Sequence, residues 1–351
     1  MNDKPKSETY AAAGVDISLK SKVISKVGML AQATYRPEVA SGVGPFSGLF
    51  EFKGHKDPLI VSSVDGVGTK IKIAIALDKH DTIGIDIVNH CVNDILTCGA
   101  QPLFFLDYIG TGKVDSDRIE SIITGLSQAC IEANCALISG EIAEMPGIYN
   151  GNDYDLVGFI VGVVEKEDII SGKTISAGDT IISLPSNGLH TNGYSLARKI
   201  MGDTREKLEI HYPELGKTAG EALLEPHRSY YTQVKPVLPL LKGISHITGS
   251  GIVGNLSRIL PAGSAADLES TRWEVPPIFK LIQDKGNVET GEMYRVFNMG
   301  IGLMLICSPE NAAQITEALP ESNIVGKVVE QADDSRVIID GIGYRQDKVL
   351  S

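Results

Sequence analysis

Pro58-Leu-Ile-Val-Ser-Ser-Val-Asp-Gly-Val-Gly-Thr-Lys70 decides how this chain reads. The apolar run Leu59, Ile60 and Val61 has the β-branched character of a strand, and it leads into Asp65-Gly66-Val67-Gly68-Thr69-Lys70. That hexapeptide gathers a carboxylate, two positions without side chains, a hydroxyl and an ammonium at the end of the strand. These are the groups a magnesium-bound polyphosphate needs, since glycine lets backbone N–H groups approach an anion and lysine adds a point charge. The spacing is neither G-x-x-x-x-G-K-[ST] nor G-x-G-x-x-G, so both common nucleotide fingerprints are excluded and a different phosphate cradle is implied. Taken alone, the hexapeptide reads equally well as a tight turn with a solvated lysine.

The helical pattern from Thr82 to Cys98 favours the first reading. Asp86, His90, Asn93 and Asp94 share one face, while Ile87, Cys91 and Ile95 line another. A solvated face is usually filled with Lys and Glu, which are good helix formers, whereas Asp and Asn are poor ones. A stripe of Asp, His and Asn is therefore expected to make specific polar contacts, with a ligand or within a buried network. Gly99 and Pro102 close the helix. Ser139-Gly140-Glu141-Ile142-Ala143-Glu144-Met145-Pro146-Gly147 reads as a loop after a short strand. Asp65, Asp94 and Glu141 would together make an all-oxygen cluster suited to Mg²⁺ on ATP. The nucleotide set is then Gly66, Gly68, Thr69, Lys70, Asn93 and Asp94.

In the second half, Pro185-Ser-Asn-Gly-Leu-His190-Thr-Asn-Gly193 and His246-Ile-Thr-Gly-Ser-Gly251 each follow a strand pattern and precede a helical one. Orphan N–H groups and the helix dipole converge at such a place, so Gly249 and Gly251 are assigned to a substrate phosphate. His190 and His246 are candidate proton carriers or oxyanion contacts. The catalytic set is Asp65, Lys70, Asp94, Glu141, His190 and His246.

A length of 351 residues, with 43% hydrophobic and 22% charged residues, suits an ordinary globular protein of two or three domains. The pattern predicts an α+β protein of two α/β-layered domains, residues 1–168 with a mixed sheet and helices and residues 169–351 as an α/β sandwich. The boundary falls in the polar stretch Glu165 to Gly178. Helices are expected over Thr82–Cys98 and Ser116–Ala133. Strands are expected over Leu103–Ile109, Ala136–Ser139, Leu156–Val164, Thr180–Leu184, Ile244–Thr248, Gly300–Cys307, Ile324–Val329 and Arg336–Asp340. Ser41 to Gly48 reads as a mobile lid, and the site is expected between the domains. Leu156 to Val164 is far shorter than the roughly 18 residues of a membrane span. Met1 to Glu8 has no hydrophobic signal segment, so the cytoplasm is the expected compartment. Five cysteines without C-x-x-C support neither disulfides nor zinc. A net charge of -12 without a basic patch argues against nucleic acid or an anionic membrane as partner.

Asp65-Gly-Val-Gly-Thr-Lys70, Asp94-Ile-Leu-Thr-Cys-Gly-Ala-Gln-Pro102 (D-x4-G-A-x-P), Gly140-Glu-Ile-Ala-Glu-Met-Pro-Gly147 and Met293-Tyr-Arg-Val-Phe-Asn298 together resemble the phosphoribosylformylglycinamidine cyclo-ligase family. Phe104-Phe-Leu-Asp-Tyr108 and Asn192-Gly-Tyr-Ser195 extend the likeness, which begins at Ala13-Gly-Val-Asp16 and covers nearly the whole chain. The resemblance implies a homodimer formed through N-terminal domains that also hold ATP. It implies conversion of formylglycinamidine ribonucleotide and ATP to 5-aminoimidazole ribonucleotide, ADP and phosphate. Ser139, Ile142, Ser250 and Gly254 stand where the family pattern leads one to expect Gly, Thr, Gly and Glu. Competing readings are another enzyme of the same ATP-using superfamily, such as a selenophosphate synthetase or thiamine-monophosphate kinase, or a nucleotide-binding regulator without turnover. The first of these would want a cysteine before Cys91, and none precedes it.

Overall fold

The structure, a computed structural model, describes residues 17–345, with side chains described from Val23 onward. Ala13 to Asp16 and the leading segment lie outside the described residues. Helix α1 (Ile17–Gln32) precedes two short strands, β1 (Val39–Ser41) and β2 (Leu49–Phe50), which pair antiparallel across the glycine-rich stretch. A four-stranded mixed sheet follows, made of β3 (Pro58–Gly66), β4 (Gln101–Thr111), β5 (Ala136–Glu144) and β6 (Tyr154–Glu165) in the order β3-β6-β4-β5. Only β4 and β5 run parallel, joined by a helical crossover; the other pairs are antiparallel.

Helices α2 (Ile71–Leu77), α3 (Asp81–Leu96) and α4 (Ser116–Glu132) fill the connections. Ile83, Ile87, Cys91 and Ile95 of α3, with Ile119, Ile122 and Leu126 of α4, are buried in the core with Phe105 and Ile160 of the sheet. Gly84 and Gly125 let α3 and α4 touch backbone to backbone, because a Cβ on either would lie within 2.1 Å of a carbonyl of the other helix. The opposite sheet face leaves Ile60, Val64 and Phe159 exposed.

The second sheet has seven strands: β7 (Thr180–Pro185), β10 (Leu241–His246), β11 (Ser264–Leu268), β12 (Ile301–Cys307), β13 (Asn323–Glu330), β14 (Ser335–Ile339) and β15 (Ile342–Arg345). Between β7 and β10 a small hairpin, β8 (His211–Tyr212) and β9 (Lys217–Thr218), stands apart. The large sheet has the order β10-β12-β7-β13-β11-β14-β15, with β12 buried along its whole length. Helix α5 (Tyr194–Met201) and the helix Gly251–Ile259 start at the two loops that follow β7 and β10. Two α/β-layered domains of mixed sheet are thus formed, as the pattern predicts. Four of the five cysteines are buried and all five are free thiols. Among the described residues, no helix is long and apolar enough to cross a membrane.

The segment after β5's first residues differs from expectation. Rather than ending at Ser139, β5 continues to Glu144, paired with β4 through Tyr108↔Glu141 and Thr111↔Glu144. Gly140 permits this, since a Cβ there would sit 2.3 Å from Asp107 Oδ1.

Candidate active site

The polar stripe of α3 grips the other domain. Asp86 Oδ1 accepts the backbone N–H of His227 at 2.7 Å, and Asn89 Nδ2 donates to the His227 carbonyl at 2.7 Å. Asn93 Nδ2 donates to the Arg228 carbonyl at 2.8 Å, and Asn93 Oδ1 accepts the Tyr230 N–H at 3.0 Å. Side-chain amides here replace a neighbouring strand for the irregular segment Glu225 to Tyr230, so its buried backbone groups are paired.

Lys70 belongs to the same joint. It lies at the end of the 3₁₀ turn Gly68–Lys70, wholly buried, with Nζ 2.8 Å from Asp86 Oδ1 and 2.6 Å from the Glu225 carbonyl. Burial pushes the Lys70 ammonium down and the Asp86 carboxyl up to about 6, while their mutual contact opposes both shifts. The expectation that Lys70 contacts a phosphate, and that Asn93 does, is corrected on this geometry, because each is turned into the domain junction and its polar atoms are taken.

Beyond the joint, four of the seven histidines and two acids meet. His90 Nε2 is 3.0 Å from Asp65 Oδ2 and 3.8 Å from Asp94 Oδ2, and its Nδ1 is 2.8 Å from Thr191 Oγ1. His246 Nδ1 is 2.8 Å from Asp94 Oδ1, and its Nε2 is 3.0 Å from Nε2 of His227. His190, held at φ +60°, stacks on His227 with ring centroids 4.1 Å apart; its Nε2 accepts the Asn187 N–H. The 3.0 Å contact between His227 and His246 needs one ring nitrogen to donate and the other to accept.

Charge in the cluster is divided by partner. Burial would raise Asp65 and Asp94, but hydrogen bonds and charge from His90 for the first, and from His246 and His90 for the second, hold both below the usual carboxylate range. Burial also lowers His90, yet Asp65 and Asp94 outweigh it and raise the imidazole. For His246 burial wins despite Asp94, and His190 and His227 are pushed far down by burial and by neighbouring histidines.

The three glycine-bearing stretches converge on this cluster. Thr69 Oγ1 is 3.3 Å from Ser195 Oγ, and Gly68, at φ +71°, approaches the Thr191 carbonyl. Gly249 lies against the Asn192 amide oxygen, and Gly251 adopts φ +58° where a Cβ would collide with the Tyr294 carbonyl. Asp94, His246, Ser63, Thr248 and Arg258 line a cleft of about 380 Å³ at this point.

Glu141 does not join Asp65 and Asp94 in a single chain. Its strand β5 is separated from β3 by β6 and β4, and the register Gly66↔Val157, Tyr108↔Val157, Tyr108↔Glu141 places it three strand spacings from Gly66. At about 4.8 Å per spacing, that is roughly 14 Å. Glu141 instead borders a second concavity on the open sheet face, with Tyr108, Asp107 and Ser63. Among the described residues, the side chains grouped closely enough to hold one ion are His90, Asp94 and His246.

Asp65, Asp94, His190, His246, Gly66, Gly68, Thr69, Gly249 and Gly251 thus surround one region. His227 and Thr191 were missed. Thr191 lies beside His190 in the glycine-bearing loop after β7, whereas His227 has no spacing that ties it to another site residue; its one available signal was the scarcity of histidine in the chain.

The two-sheet architecture with its loops at the junction defines the class of AIR synthase related proteins. The N-terminal domain profile of that group matches residues 48–164, and the C-terminal domain profile matches 176–339. The chain belongs to the phosphoribosylformylglycinamidine cyclo-ligase family, whose members are enzymes. The cyclo-ligase of Geobacillus thermodenitrificans (strain NG80-2) is 48% identical over 334 residues, covering 93% of this chain and 96% of its own. That of Trichlorobacter lovleyi (strain ATCC BAA-1151 / DSM 17278 / SZ) is 48% identical over 333 residues, covering 92% and 93%. Two solved structures share the fold at lower identity. They are hydrogenase maturation protein HypE in complex with ATP (17% identity, TM-score 0.66, covering 92% and 91%) and thiamine-monophosphate kinase from Stenotrophomonas maltophilia K279a (14%, 0.65, 94% and 98%).

Proposed function

We propose that this enzyme closes the imidazole ring of formylglycinamidine ribonucleotide, using ATP and releasing 5-aminoimidazole ribonucleotide, ADP and phosphate, at the junction built by α3 and the three glycine-bearing loops. The observation that carries the site is the approach of two carboxylates, Asp65 and Asp94, to one nitrogen of His90, beside a cleft lined by Asp94, Ser63 and His246. In this reading ATP activates the formamide oxygen, and the amidine nitrogen attacks the same carbon. Gly66, Gly68 and Thr69 lie against the triphosphate, while Gly249 and Gly251, with Arg258 nearby, receive the substrate phosphate. His246 and His190 are assigned the proton transfers at the reacting nitrogen and oxygen.

Each carboxylate oxygen of Asp65 and Asp94 keeps lone pairs beyond its contacts with Gly66, His90, Ser63 and His246, so these two acids fit Mg²⁺. The ion would neutralise charge on the transferring phosphoryl group. Glu141 does not fit within one subunit.

The exposed apolar side chains Ile60, Val64 and Phe159 support a homodimer joined through the N-terminal sheets. We place the domain boundary near residue 168 and the protein in the cytoplasm, with no nucleic acid or membrane as partner.

The test is phosphate release from Mg-ATP with and without formylglycinamidine ribonucleotide, with 5-aminoimidazole ribonucleotide followed in the same tube. Substrate-dependent phosphate matched by product is expected. Phosphoryl transfer without ring closure would move the chain to a kinase-like role, and ATP binding without turnover would make it a regulator.

A further inference from the structure

We propose that Ser250, given its room by Gly254, is a specificity-determining residue: its hydroxyl holds the Arg258 guanidinium at the cleft, where the two receive a phosphate monoester dianion. This deepens the reading above, on which it rests only for identifying that dianion as the phosphate of the ribonucleotide.

The chain departs from its family's pattern at both Ser250 and Gly254, and the two positions share one space. Ser250 stands at the N-cap of the helix Gly251–Ile259, yet its side chain makes no capping hydrogen bond. Gly254 lies one turn further on, and a Cβ there would sit 2.3 Å from Ser250 Cβ and 2.5 Å from Ser250 Oγ. Neither serine atom is the far end of a long side chain that could swing away. A side chain at 250 therefore requires glycine at 254.

The serine uses that space to hold Arg258. Nη2 of Arg258 donates to Ser250 Oγ at 3.2 Å, and Nη1 donates to Asn255 Oδ1 at 3.3 Å. Asn255 is itself fixed, since its Nδ2 donates to the Gly251 carbonyl at 2.8 Å and its Oδ1 also accepts the Thr248 hydroxyl at 3.2 Å. Holding two nitrogens of a planar group sets the direction of the whole fork. Both acceptors are neutral, and among the described residues no carboxylate pairs with Arg258. Its charge is uncompensated, and three of its five N–H donors remain to be used.

Hydroxyls complete the set. Arg258, Thr248 and Ser245 line the same cleft of about 380 Å³. The Ser245 hydroxyl is buried there without a hydrogen-bond partner, although such groups are normally paired. Ser250 Oγ accepts from Arg258 and keeps its own proton to give. Asp94, the acid of the cleft, is turned to Ser63 and His246. A monoester dianion brings three terminal oxygens and two charges to these donors, whereas a neutral sugar brings no charge.

The experiment titrates ribose 5-phosphate calorimetrically into the full-length protein, with and without a saturating non-hydrolysable Mg-ATP analogue, alongside steady-state kinetics. Ser250→Ala should weaken ribose 5-phosphate binding roughly 3- to 10-fold and Arg258→Met roughly 10- to 100-fold, with or without the analogue. KM for formylglycinamidine ribonucleotide should rise by similar factors while KM for ATP changes little. Gly254→Ala should lower the unfolding midpoint. Adding Ser250→Gly to it should restore the midpoint but not the affinity, because the new methyl then fits and the hydroxyl is gone. Ser250→Ala binding as tightly as wild type overturns the proposal, as does a Gly254→Ala protein that keeps both its midpoint and its affinity. An analogue that blocks ribose 5-phosphate also overturns it, by giving the cleft to the nucleotide's phosphates. Binding that follows Ser250 and Arg258 in a protein that forms no 5-aminoimidazole ribonucleotide would sink the functional reading alone; product formed with KM unmoved in both variants would sink this inference alone.

Discussion

Lys70 and Asp86 form a fully buried ion pair, Nζ to Oδ1 2.8 Å, between the phosphate-cradle turn and the middle of α3. The pair is connected further, since Asp86 Oδ1 also accepts His227 N–H and Lys70 also donates to the Glu225 carbonyl. Lys70→Ala would therefore leave an uncompensated buried carboxylate. The expected loss is about 3–5 kcal/mol of unfolding free energy, measured by urea titration. Lys70→Met combined with Asp86→Leu should cost less than Lys70→Ala alone. A Lys70→Ala protein as stable as wild type would return this lysine to the cradle.

Asp94→Asn keeps the shape of the site but removes the charge and one of the two acceptor oxygens that Ser63 and His246 use, leaving an amide N–H toward one of them. Turnover should fall on the order of 10²–10³-fold with the unfolding midpoint little changed. Near wild-type kcat would remove Asp94 from the reaction.

Asn93 satisfies a carbonyl and an N–H of the Arg228–Tyr230 segment at once. Replacing it with the similarly sized Leu strands both, at about 1–3 kcal/mol for each buried group. Denaturation should show the loss, while ATP affinity of the folded fraction stays near wild type. A large fall in affinity without destabilisation would put Asn93 back among the nucleotide ligands.

Burial raises the carboxyl of Asp107 from 3.8 to about 7, with Glu141 adding to the shift. Between those values the folded chain binds a proton that the unfolded chain has released, so this group makes stability fall as pH rises. Asp107→Asn should then be nearly neutral near pH 4 and more stable than wild type at about pH 8, by up to a few kcal/mol. Unfolding midpoints across that range decide it, and a difference that does not change with pH would refute the assignment.

The two-domain α+β architecture was legible because its helices and strands carry clean periodicities: α3 and β12 lie within a residue or two of their expected spans. The unusual Asp, His and Asn composition of the α3 stripe correctly announced specific contacts, and Asp94 with Asp65 came from it and from the glycine turn. What the stripe touches was not legible. A period of 3.6 identifies a face but not the element packed on it, so Asp86, Asn89 and Asn93 could not be told apart from ligand contacts before Glu225 to Tyr230 was seen beneath them. Glu141 misled for a related reason, since Gly140 reads as a loop marker in sequence but serves close packing against Asp107 within a strand. His227 and Thr191 depend on contacts between residues far apart in the chain, and no local pattern encodes those.

Because α3 carries both the clasp on Glu225 to Tyr230 and the acid Asp94, the joint and the chemistry share one rigid rod. Swinging the two sheets apart would break the clasp's four hydrogen bonds from Asp86, Asn89 and Asn93 and would draw His246 off Asp94 in the same motion. The cleft lined by Asp94, Ser63 and His246 is thus framed by parts that cannot separate without unmaking the clasp. The clasp that joins the two sheets is also what keeps His246 on Asp94.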